Sequence, residues 1–168
     1  MGGKVATVRH ILAEEVDIFR SMRLEALGAE PASFASTLQD WQNLTDEEWR
    51  SRMNDPVFVA FRQDEPIGMM GLMRQRASKM AHRATLVMVY VRENARGSGV
   101  ATRLLDTVID HAKDDGIVQL ELAVNAENPA AIRFYKREKF SEIGLIPGGF
   151  LHEGREIDEI MMARRLAA

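Results

Sequence analysis

Cysteine is missing altogether from the 168-residue chain, which excludes disulfides and, for any acyl chemistry, a cysteine nucleophile. Tyrosine and tryptophan occur only twice each. No apolar run approaches the length of a membrane-spanning helix, and the opening MGGKVATVRH has no apolar stretch for secretion. Ala6 stands where a myristoylation signal after Gly2 wants Ser or Thr. The expectation is a cytoplasmic protein with no membrane partner. Neither sign of charge dominates: 22 basic and 25 acidic residues leave a formal net charge of -3, which gives no general attraction to nucleic acid. His152 and Glu153 do not extend to HExxH, because Glu156 occupies the last position, so no metal is implied. What is present is the composition of a globular protein, 46% apolar and 28% charged, at a length that suits one core.

The most informative stretch runs from Thr85 to Ala112, TLVMVYVRENARGSGVATRLLDTVIDHA. Thr85 to Val91 is rich in β-branched and apolar residues and predicts a strand. A polar turn follows, then a helix from about Gly99, with Ala101, Leu104, Leu105, Val108 and Ala112 on one face. Gly97 and Gly99 flank Ser98 and allow a sharp bend and a close ligand approach. The first N–H groups of the helix lack acceptors and lie at the positive end of its dipole, which makes the turn an anion site. Walker A requires a Lys and a Ser or Thr after the last glycine, whereas Val100 and Ala101 follow here. The dinucleotide fingerprint requires a third Gly or Ala where Thr102 stands.

Arg96, Gly99 and Ala101, spaced as RxxGxA, resemble the pyrophosphate loop of the GCN5-related N-acetyltransferases (GNAT family). A second signature supports the same resemblance. Ile117 to Val124 reads as a strand parallel to the first if the helix is a normal crossover. Asn128, Pro129 and Ala130 then open a helix, with Asn128 a good N-cap and Pro129 at the favoured first position. The run NPAAIRFYKREKF resembles the family's NxxAxxxYxxxGF, with Asn128, Ala131, Tyr135 and Phe140 in register. Lys139 replaces the usual glycine, which costs strain if that residue must be left-handed.

The rest of the chain fits around this centre. Val5 to Ile11 predicts a strand, and Leu12 to Leu27 an amphipathic helix that Gly28 stops. Gly28 to Leu44 reads as irregular. Thr45 and Glu48 form a capping box that starts a helix running to about Met53. Phe34, Trp41 and Trp49 read as packing of this helical layer. Val57 to Arg62 and Ile67 to Arg74 predict two strands joined by QDEP, with the methionine-rich sheet an adaptable core. Gln75 to Arg83 reads as a basic loop. Ser141 to Ile146 and Glu156 to Arg164 predict closing strands, and PGGFLHEGR between them a mobile or tightly turned rim.

The resemblance implies an α/β fold over residues 1–168 as a single N-acetyltransferase domain. Its mixed, mostly antiparallel sheet would splay at two parallel strands, with helices on both faces. It implies acetyl-CoA as co-substrate, without a metal. The backbone of Val89, Tyr90 and Val91 would pair with the pantetheine arm, and Arg96, Gly97, Ser98, Gly99, Val100 and Ala101 would receive the pyrophosphate. Asn128 would hold the pantetheine or thioester end, Tyr135 would protonate the departing thiolate, and a backbone N–H near Val91 would meet the oxyanion. A phenol suits that task, since its pKa of about 10 keeps it protonated at neutral pH. The acceptor amine needs a base. Glu121 is the candidate, because it shares the polar strand face with Asn125 one repeat from the place where some family members carry a glutamate, here Ala123, and a water would bridge the gap of about 7 Å. His82 and His152 are fallbacks. The expected reaction is acetyl transfer by direct attack on acetyl-CoA in a ternary complex. A small-molecule amine is favoured over a protein amine as acceptor, with oligomeric state open, a homodimer included. The alternative is an acyl-CoA sensor that binds the cofactor without turnover.

Overall fold

The computed structural model describes residues 5–167; Gly2, on which the lipidation argument turned, lies outside them. The strands are β1 (Thr7–Ile11), β2 (Val57–Arg62), β3 (Glu65–Arg74), β4 (Arg83–Val91), β5 (Gln119–Asn125), β6 (Ser141–His152) and β7 (Arg155–Arg165). The α-helices are α1 (Val16–Ala29), α2 (Leu38–Gln42), α3 (Asp46–Ser51), α4 (Val100–Asp114) and α5 (Pro129–Arg137). All strands join one sheet in the order β1-β2-β3-β4-β5-β7-β6, with β4 and β5 its parallel pair and every other neighbour antiparallel.

Alternation along β2 shows how the two layers attach. Val57, Val59 and Phe61 join Phe19, Met22, Trp41 and Trp49 of α1 to α3. Phe58 and Ala60, one residue out of phase, join Leu104, Leu105 and Val108 of α4. The helices therefore cover both faces, as the resemblance implied. Trp41 and Trp49 stand 5.3 Å apart and each meets Phe19 edge-on, so these tryptophans do pack the helical layer.

Several local expectations need correction. The first helix begins at Val16, after a 3-10 turn over Ala13–Glu15, and runs one residue past Gly28. The segment expected to be irregular contains α2, started by a capping box between Thr37 and Asp40 that mirrors the predicted one between Thr45 and Glu48. The stretch read as a rim is mostly strand. β6 continues to His152, and its register slips between Ile146 and Phe150, where Pro147, Gly148 and Gly149 form an irregularity. In the β2–β3 hairpin, Gln63 and Asp64 both take positive φ, 53° and 66°, as a two-residue turn between twisted strands requires. Among the described residues no helix is long and apolar enough to cross a membrane.

Candidate active site

The parallel pair makes the site. β4 and β5 are in register only from Arg83 to Thr85 opposite Gln119 to Glu121. Beyond Thr85 the two strands part, and the β5-facing edge of β4 runs on to Val91 without a strand partner. Within β4 the register against β3 shifts between Met69 and Gly71, and Met88 carries the positive φ of 53° that absorbs the extra residue. Gly71 makes room for this bulge, since a Cβ there would sit 2.5 Å from Met88 Cε.

A cleft of about 560 Å³ opens between the parted strands and the first turns of α4 and α5. Val89, Tyr90, Val91, Arg96, Gly97, Gly99, Val100, Ala101, Asn128 and Tyr135 all line it. Ser98 does not: its hydroxyl turns back to donate to the Ala95 carbonyl and accepts from Arg62 Nη2 at 3.4 Å. Tyr90 contributes backbone, because its hydroxyl donates to Glu25 at 2.9 Å. Burial and that carboxylate push the Tyr90 phenol up to about 12.

The loop has the geometry of an anion receptor. Gly97 and Gly99 hold φ of 76° and 83°, and no atom lies within 4 Å of where a Cβ would stand on either. The first N–H of α4 to reach a carbonyl one turn back is that of Arg103, on Gly99 at 3.1 Å, which leaves those of Val100, Ala101 and Thr102 at the dipole's positive end. Arg96 donates through Nε to the Val91 carbonyl at 3.0 Å and through Nη2 to Glu30 at 2.5 Å. An incoming pyrophosphate must compete with the Glu30 carboxylate for that guanidinium. These features fit the phosphate end of acetyl-CoA.

Asn128 and Tyr135 belong to α5. The Asn128 side chain accepts the Ala131 N–H at 3.1 Å, the N-cap role expected of it, and Pro129 follows at the first helical position. Lys139, after the helix, takes a φ of 68°, the left-handed conformation that its usual glycine would favour. Tyr135 is buried, with Phe134 and Phe140 edge-on at 5.3 and 5.6 Å. Burial alone pushes its phenol well above its ordinary range, so the proton stays on at neutral pH.

A second cavity of about 330 Å³ adjoins the first, and Tyr135 lines both, together with Ser33, Phe34, Val89, Asn128 and Ala131. Phe34 thus does more than pack the helical layer. Glu121 lines neither. It is buried on β5 with both oxygens engaged, by a bidentate Arg83 and by Gln119 Nε2 at 2.7 Å. Those bonds, Arg83 foremost, hold its carboxyl below the usual range. The expectation that Glu121 serves as base is therefore corrected: an anion already held by a guanidinium is a poor proton acceptor, and it has no access to the cavity. Arg83, read as the end of a basic loop, is its ion-pair partner at the start of β4. His82 and His152 also lie outside both cavities.

Sequence reasoning missed the carboxylate that does line the second cavity, Glu159 of β7, and the guanidinium that does, Arg23 of α1. Glu159 pairs across the sheet with Asn125 and Ile146. A Cβ on Gly149 would meet its Oε1 at 2.6 Å, so the irregular segment of β6 makes room for this side chain. The signal for Glu159 was weak, a polar residue at the register position opposite Asn125. Arg23 was visible as a charge on an otherwise apolar helical stripe.

Comparisons with known proteins give similarities of the same kind. The family profile described as acetyltransferase (GNAT) family matches residues 19–140. The chain is 27% identical over 147 residues to an uncharacterized N-acetyltransferase of Methanocaldococcus jannaschii, an overlap of 86% of this chain and 65% of that protein. Over 78 residues it is 32% identical to an L-methionine sulfoximine/L-methionine sulfone acetyltransferase of Pseudomonas aeruginosa, covering 46% of this chain and 45% of that one. The chain spans less than two thirds of the length of these curated relatives. Among solved structures, a GNAT superfamily phosphinothricin acetyltransferase from Sinorhizobium meliloti in complex with acetyl-CoA superposes with a TM-score of 0.81 at 20% identity, over 96% of this chain and 89% of that one. At that identity the match speaks for the fold.

Proposed function

We propose that this chain, which belongs to the GNAT acetyltransferase family, moves an acetyl group from acetyl-CoA to a primary amine by direct attack while both substrates are bound. One observation carries the reading: the cleft with the phosphate loop and the smaller cavity meet at Val89, Asn128 and Tyr135. Two substrates, one in each cavity, would therefore bring their reacting ends together beside the one cavity-lining phenol with a free hydroxyl.

In this reading the glycine loop and α4 hold the pyrophosphate, and the open edge of β4 takes the pantetheine arm as an added strand. The amine nitrogen bonds to the acetyl carbon while the carbon–sulfur bond breaks. An ammonium acceptor releases two protons overall. Sulfur leaves with the Tyr135 hydroxyl proton, one of the two restores the phenol through water, and the other passes to Glu159 and on to solvent. A backbone N–H on β4 near Val91 meets the charge developing on oxygen. The S. meliloti structure with acetyl-CoA and the P. aeruginosa relative's named substrates support acetyl-CoA and a small-molecule acceptor here.

The direct test is acetyl-CoA-dependent thiol release across a panel of amines, covering amino acids, polyamines, amino sugars and short peptides. Release that depends on one amine class supports the reading; acetyl-CoA binding with no release for any amine argues for the sensor alternative. Glu159→Gln should lower kcat while leaving the affinity for acetyl-CoA near its original value, and unchanged turnover removes Glu159 from proton transfer.

A further inference from the structure

Arg23 on α1 is only 4% exposed, yet no carboxylate among the described residues pairs with it. Its Nε and Nη1 are buried without a hydrogen-bond partner. Two other arginines, Arg92 and Arg83, show the opposite pattern. Arg92 is bracketed by Glu25 and Glu65, and Arg83 is held by Glu121. Arg23 has aromatic rings instead, with its guanidinium carbon 5.0 Å from the Phe34 centroid and 4.5 Å from that of Trp41. Arg52 lies 4.3 Å from the same Trp41 ring, so a second cation stands near the first. Ring faces offset part of the burial cost of a cation but do not replace a hydrogen-bonded anion. Burial, with repulsion from Arg52, lowers the Arg23 pKa to about 10, and the side chain is still a cation at neutral pH.

The same side chain lines the smaller cavity, whose volume of about 330 Å³ suits a small molecule. A buried cation without an anion, in the wall of a ligand-sized space, implies that the anion arrives with the ligand. We propose that Arg23 receives a carboxylate of the acceptor, and that the acceptor is therefore an amino acid or a similarly small amine bearing an acid group. The assignment rests on the acetyl-transfer reading above and narrows its acceptor. The planar guanidinium fork matches a carboxylate in geometry as well as charge. Glu159 supplies the opposite charge in the same cavity, so a zwitterion finds a partner for each end. A polyamine or an amino sugar would set its extra cations against Arg23, which selects against them.

The test compares L-amino acids, their α-methyl esters and matching simple amines as acceptors, in the intact chain and in Arg23→Gln and Arg23→Lys. The unaltered protein should prefer an amino acid to its ester by at least about ten-fold in kcat/KM, mainly through KM, the scale of one charge-assisted contact. Arg23→Gln should collapse that preference by lowering the value for the acid far more than for the ester, and Arg23→Lys should restore part of it. Turnover of amines with no advantage for the acid, or an equal loss for acid and ester in Arg23→Gln, overturns the assignment while acetyl transfer stands. Binding of N-acetyl amino acids, read by thermal shift, separates the two claims in the other direction. A shift that needs the free carboxylate and disappears in Arg23→Gln upholds Arg23 even if no amine is turned over. If Arg23→Gln does not fold, the comparison of acid with ester in the unaltered protein decides.

Discussion

Tyr135 and Glu121 show how the setting of a side chain decides its chemistry. Tyr135 is packed against Phe134, Phe140 and the helix it sits on, and burial alone raises its phenol above the ordinary range. Replacing it with Phe removes one oxygen and little packing. Turnover should fall by about 10²-fold or more, the usual contribution of a positioned acid, while the affinity for acetyl-CoA stays near its original value. Steady-state kinetics paired with direct binding would check both halves. Glu121 is the reverse case. Arg83 and Gln119 hold its folded carboxyl below the usual value, so its stabilisation is present above the unfolded value of about 4.3 and is lost as pH falls through the lower folded one. Glu121→Gln should therefore lower the melting temperature by a few degrees at neutral pH. The gap from the unaltered protein should close once pH falls below the folded value. A gap that persists unchanged there would mean the carboxylate's charge is not what stabilises the strand. The sequence placed both residues on elements of the right type. It could not say that Arg83, thirty-eight positions away, would be aligned with Glu121 by the first residues of the parallel pair.

At the scale of an element, the loop before α4 was the most readable part of the chain, because its shape depends on backbone torsions that glycine signals directly. Gly97 and Gly99 both adopt the left-handed conformation, and the space beside them is clear. Gly99→Glu should leave most of the fold intact, at a cost of about 1–2 kcal/mol for a side chain at that φ. It should weaken acetyl-CoA binding by at least about 100-fold, through bulk and charge placed where the phosphates belong. Calorimetric titration beside a melting curve would distinguish that from simple unfolding; unchanged affinity would sink the loop assignment. The β6 segment was the least readable. Pro147, Gly148 and Gly149 are turn-formers, yet they sit inside a twelve-residue strand because β7 supplies partners on either side of the irregularity. Tertiary pairing outweighed local propensity there, as capping chemistry did in producing α2 from a segment too short for helical periodicity to appear.

For the molecule as a whole, the arrangement of two cavities about one junction sets the order of events. With no cysteine in the chain and Tyr135 lining both cavities, the proposed reaction passes the acetyl group directly between substrates. Initial-velocity plots at varied acetyl-CoA and amine should intersect, and no acetylated protein should accumulate on mixing with acetyl-CoA alone. Parallel lines, or a chain that gains an acetyl group in mass spectrometry at the rate of turnover, would require a covalent carrier instead. The general architecture was legible because hydrophobic alternation and the strand–loop–helix order were both strong. The smaller cavity was not, since Arg23, Phe34, Thr85, Asn125 and Glu159 come from α1, the segment after it, β4, β5 and β7. No linear pattern joins them.

The bulge at Met88 has a consequence for anyone who would improve this sheet. Beyond it, β4 carries one residue more than β3 needs. Deleting Met88 would give a regular ladder, satisfy more of the backbone and remove a left-handed residue. Val89, Tyr90 and Val91 would keep their faces, because Tyr90 already stands opposite Met69, but the bend and extra twist that a bulge gives its strand would go, just where β4 parts from β5. Regularity and vacancy compete at this one position, and a selection for heat resistance alone would drive the sheet towards sealing its own gap.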